Sequence, residues 1–454
     1  MATATVSKHE MDFTNGSIIK KLIIFAIPLI LTNILQGLFT LTDTIVLGIM
    51  VDDKAVGAVG ATNTLINLFT TFFIGLSAGA SVVLSKCLGQ GNVEKARKVV
   101  GSSVVLGLLG GLILGAIGII GAETFLTLMK CDASLLPQAV SYIRIYFIGF
   151  PIILFYNFVS GLMRAVGDTF RPMLYLTIAG FANVGLNVFF IAVCNLTVEG
   201  VAIGTVGSQL ISSILAFIAI KKNDGYARFE FKYFSLFKKE VKEIMAIGVP
   251  SGIQNSLISV SNVIISTNVN SFGDKATIAA AISSQYNTFV YVVGNSIALA
   301  GMAFVSQNYG AGNYTRIKES IIKTAIFAGI CQFIVGLFFY LLTEPLTRIM
   351  STDPVVLDYC KIIMFNVGAL YFMCGIMETF AFSMRALGKS ITAMVIAIIF
   401  MVAFRVVWIF FVLPINLVLQ MIYYSYPISW ILSIIVQTIF LAKILKDVKN
   451  KFKN

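Results

Sequence analysis

The chain repeats itself at a fixed distance. Asp53-Lys54-Ala55 returns as Asp274-Lys275-Ala276, Gly89-Gln90-Gly91-Asn92 as Gly310-Ala311-Gly312-Asn313, and Met163-Arg164-Ala165-Val166-Gly167 as Met384-Arg385-Ala386-Leu387-Gly388, each pair 221 residues apart. Pro28 and Pro250 open the two copies, one residue out of step. An offset held over so long a stretch marks a duplicated unit. Only 12% of the 454 residues are charged and 58% are hydrophobic. A water-soluble domain carries roughly twice that charge. The duplicated unit is therefore a membrane unit, and duplicated membrane folds commonly place a substrate site between their halves.

A membrane-spanning helix needs about 20 mostly apolar residues. Runs of that kind predict twelve spans, at about 20–48, 56–84, 99–121, 138–160, 172–194, 200–220, 244–270, 277–304, 321–342, 360–384, 391–413 and 417–443. At this length helices are the spanning structure that satisfies its own backbone. The alternating pattern of a membrane barrel is absent. The expected fold is all-α, with twelve transmembrane helices in two parallel six-helix repeats. Six spans separate equivalent points, so both copies enter the membrane from the same side and are related by an axis along its normal.

Lys and Arg fix the expected orientation. With the N-terminus inside, 26 of the 33 basic residues fall in cytoplasmic segments and four, Lys54, Lys130, Lys275 and Arg348, in outer ones. Such a bias is a positive-inside pattern. It predicts a multi-pass protein of the cell (inner) membrane with both termini cytoplasmic. The net charge of +12 then reflects topology and contact with anionic membrane lipids, so no nucleic-acid partner is expected. The expected divisions are a cytoplasmic segment 1–17 without a secretory signal, a six-helix half 18–220, a linker 221–243, a second half 244–443 and a basic tail 444–454. The linker carries seven basic residues, and Phe229, Phe231 and Phe234 would let it lie along the membrane surface. The six cysteines lack metal spacing. Cys131 and Cys194 both fall near the outer face, but unpaired cysteines are expected.

Polar residues inside the spans line up. Asn33, Gln36, Thr40 and Asp43 share one face of the first span, and Asn255, Ser259, Asn262 and Ser266 share one face of the seventh. The second span carries Asn63 and Asn67, the fifth Asn183 and Asn187, and the eighth Gln285, Asn287 and Tyr291. One or two such groups per helix would be ordinary interhelical hydrogen bonding. Four on a face, in both repeat partners, predict a water-filled cavity lined by spans 1, 2, 7 and 8.

Ionisable groups inside spans are few, hence informative. Asp43 lies 22 residues past Lys21, roughly 33 Å along a helix, in the outer half. A lone carboxylate there can take up and release a proton or attract a cation. Glu378 and Arg405 form a possible second ion or substrate site, either as an ion pair or apart. Glu378 aligns with Asn157, so the acids break the repeat symmetry. The one histidine, His9, lies before the first span, which excludes a histidine relay within the spans. Gly388-Lys389-Ser390 lacks the upstream glycine of a P-loop. No nucleotide-binding domain is present, so transport would be powered by an ion gradient, and no cofactor is expected beyond H+ or Na+ as coupling ion. An intramembrane enzyme would need a nucleophile–base pair or a metal cluster, and the sequence offers neither.

The chain resembles the multidrug and toxic compound extrusion (MATE) family, in the prokaryotic branch with an acid on the first transmembrane helix. The resemblance rests on Leu-Thr-Asp-Thr-Ile-Val-Leu-Gly at 41–48, Gly-Gln-Gly-Asn at 89–92 and Met-Arg-Ala-Val-Gly-Asp-Thr at 163–169, and it runs over about 18–445. It implies a V-shaped, two-lobe transporter. The implied activity is proton- or sodium-coupled efflux of small amphipathic organic cations and xenobiotics by alternating access. It also implies an ion site on Asp43 assisted by the positions of Asn183 and Asn187, where an acid common on the fifth helix is replaced by amide. A monomer is expected. The alternative is a flippase for a lipid-linked cell-envelope precursor, since fold alone does not fix function.

Overall fold

The computed structural model describes residues 10–453; His9 and the first basic residue, Lys8, lie outside the described residues. All regular structure among them is helical: α1 Ile18–Met50, α2 Asp53–Gly89, α3 Val93–Leu128, α4 Leu136–Ile148, α5 Phe150–Ala165, α6 Phe170–Ala192, α7 Val198–Lys221, α8 Lys238–Asn270, α9 Asp274–Gly310, α10 Tyr314–Leu341, α11 Thr343–Met350, α12 Pro354–Ala386, α13 Ser390–Ile415 and α14 Leu419–Lys451.

The duplicated motifs are helix punctuation. Gly91 and Gly312 take φ of +67° and +71°, left-handed values that suit glycine. Around them Asn92 N–H donates to Cys87 O and Asn313 N–H to Asn308 O, both at 3.0 Å, which closes the preceding helix. The next helix then starts on the same asparagine. Asn92 Oδ1 accepts from Lys95 N–H at 2.9 Å and Asn313 Oδ1 from Arg316 N–H at 3.1 Å. Gly167 and Gly388, at φ of +92° and +83°, end α5 and α12 in the same way.

Among the described residues ten helices are long and apolar enough to cross a membrane, and the pair α4–α5, bent by 50°, makes an eleventh. The sequence predicts twelve. The shortfall is α8, which has 33 residues but too many polar ones, with Asn255, Ser256, Ser259, Ser261, Asn262, Ser266, Thr267 and Asn268 in four turns. The expected single span at 138–160 is broken at Gly149, and Pro151 lies in the first turn of α5. The helices also outrun the apolar runs. α2 begins at Asp53 because Asp52 caps it, its Oδ1 accepting from Ala55 N–H at 2.7 Å.

Two compact units divide the chain. The first comprises Met1–Asp12 and Ile27–Gly248, the second Phe13–Ala26 and Val249–Asn454. Two of the three divisions fall inside a helix, close to Pro28 in α1 and Pro250 in α8.

In the first unit α3 lies close against α4 and α5 through small residues. A Cβ on Gly111 would stand 2.3 Å from Pro151 Cα, and one on Gly115 2.7 Å from Phe147 O. The segment between α7 and α8 also packs here. Arg97 pairs with Glu230 at 3.3 Å, Ser102 Oγ donates to Ser235 O at 3.1 Å, and Phe229 is buried while Phe231 and Phe234 are exposed.

In the second unit the Phe13 ring stacks on Phe304 at 4.1 Å, and Arg316 Nε donates to Phe13 O at 2.8 Å. Its core is built from α8, α9, α12, α13 and α14 around Ile282, Val367, Met401, Ile422 and Trp430. All six cysteines are free, including half-buried Cys131 and exposed Cys194.

Candidate functional site

In the first unit α1, α6 and α7 bring four side chains together. Asn187 Nδ2 donates to Asp43 Oδ1 at 2.6 Å and lies 3.5 Å from Asn183 Oδ1; Asn183 Nδ2 reaches Thr205 Oγ1 at 3.4 Å. Both asparagines are buried, Asn187 with 0% exposure, while Asp43 is half-buried. The spacing of four places the two amides one turn apart on α6.

Gly204 on α7 makes the room. A Cβ there would sit 2.0 Å from Asn187 Oδ1. That oxygen is buried without a hydrogen-bond partner. The result is one carboxylate beside two amide groups and a hydroxyl, with an acceptor oxygen still to be satisfied. Such a set suits a proton on the carboxylate or a small monovalent cation held by oxygen atoms. Among the described residues no group of three or more His, Cys, Asp or Glu side chains gathers to hold a metal ion.

The sequence singles out Asp43, Asn183 and Asn187, and the structure joins them. It misses Thr205 and Gly204. The spacing of Thr205, Ser208 and Ser212 on one face of α7 was the available signal for the first; nothing in the sequence marks the second.

The rest of the first stripe behaves differently. Asn33 Nδ2 donates to Leu29 O at 3.0 Å and Thr40 Oγ1 to Gln36 O at 3.0 Å, so both bond within α1. Gln36, Thr40, Asn63 and Asn67 are exposed and Asn33 is half-buried.

In the second unit Asn255 and Ser259 are half-buried, and Ser259 Oγ donates to Asn255 O at 3.1 Å. Asn262 and Gln285 are exposed. Asn287 is buried with Oδ1 unpartnered, and Tyr291 takes a hydrogen bond from Asn295 at 3.1 Å.

Glu378 on α12 and Arg405 on α13 are both buried, with 7% and 2% exposure, and no ion pair joins them. Arg405 Nε donates to Ser429 Oγ at 3.1 Å, and its guanidinium carbon lies 4.2 Å from the centroid of the Tyr426 ring. The ion pair weighed from sequence therefore does not form, and the two side chains stand apart. Arg405 is turned toward α14, whose aromatic face sequence reasoning read only as span.

Comparison with known proteins places this architecture. The family profile described as MatE matches residues 28–191 and 250–411, which are the two copies of the repeat. A Bacillus subtilis (strain 168) protein named probable multidrug resistance protein YpnP is 27% identical over 394 residues, spanning 86% of this chain and 87% of that one. A Shewanella oneidensis protein named FAD transporter is 24% identical over 363 residues, 79% of this chain and 80% of that one. A solved structure described as the outward-facing conformation of a multidrug resistance MATE family transporter of the MOP superfamily superposes with a TM-score of 0.89 at 18% identity, over 98% of this chain and 100% of the other.

Proposed function

This chain belongs to the MatE family of membrane transporters, and from that premise we propose that it is a cation-coupled antiporter exporting small amphipathic cations and drugs. The observation that carries the proposal is Asp43, a carboxylate in an apolar span whose Oδ1 accepts from Asn187 at 2.6 Å. Intramembrane acids are costly, and they mark ion pathways. The multidrug names of relatives such as the Bacillus protein support the export of drugs.

In this reading the coupling ion, a proton or a sodium ion, binds at Asp43 with Asn183, Asn187 and Thr205 around it. The Asn187 amide favours the charged carboxylate by donating to it. Ion binding removes or shares that charge and weakens the bond to α6. The ion and the substrate then favour opposite states of an alternating-access cycle, because a ligand shifts an equilibrium only through differential affinity. Polar residues on α1, α2, α8 and α9, among them Gln36, Asn63, Asn67, Asn262 and Gln285, would meet the substrate. The Lys and Arg distribution supports cytoplasmic termini.

The test is efflux of a cationic dye from proteoliposomes under an imposed proton gradient and then an imposed sodium gradient. One gradient, and not a matched gradient of potassium, should drive dye movement. Equal fluxes with and without either gradient would sink the reading. The flippase reading has one observation on its side, the buried guanidinium of Arg405. Inhibition of dye efflux by an anionic lipid-linked precursor, with none by organic cations, would favour it.

A further inference from the structure

The repeat sets a cation beside the positions equivalent to the neutral partners of Asp43. Subtracting 221 from Phe404, Trp408 and Tyr426 gives Asn183, Asn187 and Thr205, the neutral partners of Asp43. Arg405 is therefore the immediate neighbour of the position equivalent to Asn183. Where the first unit gathers a carboxylate and amides, the second places a guanidinium among aromatic rings.

That guanidinium is incompletely satisfied. Arg405 Nε is bonded to Ser429, but Nη2 is buried with no partner, and so is Trp430 Nε1 nearby. Both side chains contact Tyr426. Arg405 stacks on its ring, and Trp430 meets it edge-on at 5.9 Å. Two buried N–H donors without acceptors are unfavourable, and a buried cation without a counter-charge more so. An oxyanion accepts from such donors and supplies the counter-charge that the guanidinium lacks.

The surroundings say what carries it. Trp430 also lies against Tyr371 at 5.2 Å with 30° between the rings, and Tyr371 lies 6.4 Å from Tyr291. Tyr371 and Tyr426 are half-buried and Tyr291 is 38% exposed, so the rings run from the surface of the unit to Arg405. Arg405 itself stands on one turn of α-helix, Phe404–Val407, between π-helical turns at Ile398–Ala403 and Trp408–Val412. Such turns inside helices are frequent at functional sites. Its counterpart α6 is an uninterrupted α-helix.

We propose that the interior of the second unit binds an oxyanion, a carboxylate or phosphate, carried on a planar aromatic body, with Arg405 as its cationic partner. Arg405 Nη2 and Trp430 Nε1 donate to the oxyanion, and Tyr371 and Tyr426 stack on the rings. The site extends the exporter reading, since a substrate held there is zwitterionic or anionic rather than purely cationic. It is tested by binding, which does not require that reading to be right.

The chain has two tryptophans, Trp408 and Trp430. One stands in the site and the other three residues beyond Arg405. Purified full-length protein is titrated with benzoate, benzamide and inorganic phosphate while tryptophan emission is followed. Benzoate should give a saturable change, benzamide none, and phosphate a response at least about tenfold weaker. Arg405→Gln should weaken benzoate binding by about tenfold or more, as expected for loss of a bond to a charged group. Trp430→Phe keeps the ring, leaves Trp408 as reporter and should weaken binding severalfold, so the proposal stays testable even if Arg405→Gln fails to fold. No response to benzoate, an equal response to benzamide, or undiminished binding by a folded Arg405→Gln would overturn the proposal. Phosphate binding as tight as benzoate would overturn its aromatic part.

Discussion

At the scale of single residues, the ion site depends on a residue that carries no charge. Gly204 leaves the space that Asn187 Oδ1 fills. Gly204→Ala should turn the amide away from Asp43 and remove a hydrogen bond to a carboxylate, worth about 1.5–3 kcal/mol. Ion affinity should change by roughly tenfold or more, with Asp43 itself intact; an ion titration of transport that matches wild type would refute this. Glu378 and Arg405 form no ion pair, so Glu378→Gln and Arg405→Gln should act additively on thermal stability, within about 0.5 kcal/mol. A large coupling energy in the double-mutant cycle would contradict the separation. Asp43, Asn183 and Asn187 were legible in the sequence because polar groups at helical spacing stand out in an apolar run. Thr205 and Ser429 were not, because a lone hydroxyl satisfies itself within its own helix as often as it serves a neighbour. Gly204 was invisible because its role is the volume it leaves empty.

At the scale of elements, the helices are set by their ends as much as by their apolar middles. The paired Gly-x-Gly-Asn motifs stop one helix and start the next, so their repetition reports architecture and not a ligand. α12 shows the same logic at its N-terminal end. Asp353 accepts from Val355 N–H and pairs with Lys275, both at 2.8 Å. The Lys275 ammonium, then the Val355 N–H, hold its carboxyl below the usual carboxylate range. A depressed folded value means that this stabilisation is complete above about pH 4, the unfolded aspartate value, and is lost as pH falls through the folded one. Asp353→Asn should therefore lower the Tm at neutral pH, and the gap to wild type should close under acid. A gap independent of pH would remove the cap and ion pair as its cause. The sequence reading counted α8 as a span, whereas its amides and hydroxyls keep it from the helices apolar enough to cross by composition. It joined α4 and α5, because the 50° bend comes from Gly149 and Pro151 and not from any polar residue. The π turns of α13 were illegible, since a one-residue slip in hydrogen bonding leaves composition unchanged.

At the scale of the molecule, the 221-residue duplication was read directly from the sequence, and the family profile falls on both copies. What the duplication does not preserve is the chemistry. One unit keeps a carboxylate with amides, the other a guanidinium with rings, and the departure from symmetry is where coupling and substrate recognition are proposed. The division of the units at Pro28 and Pro250 was less legible, because the apolar runs of α1 and α8 pass through both positions without a break. The central claim is that the Asp43 carboxylate links ion flow to substrate flow. It is tested most directly in proteoliposomes by comparing wild type with Asp43→Asn in two modes: uphill accumulation of a cationic dye driven by an ion gradient, and downhill dye exchange without one. The account predicts that the variant folds and reconstitutes, loses uphill accumulation, and keeps measurable downhill exchange. Uphill accumulation by Asp43→Asn at the wild-type level would contradict it.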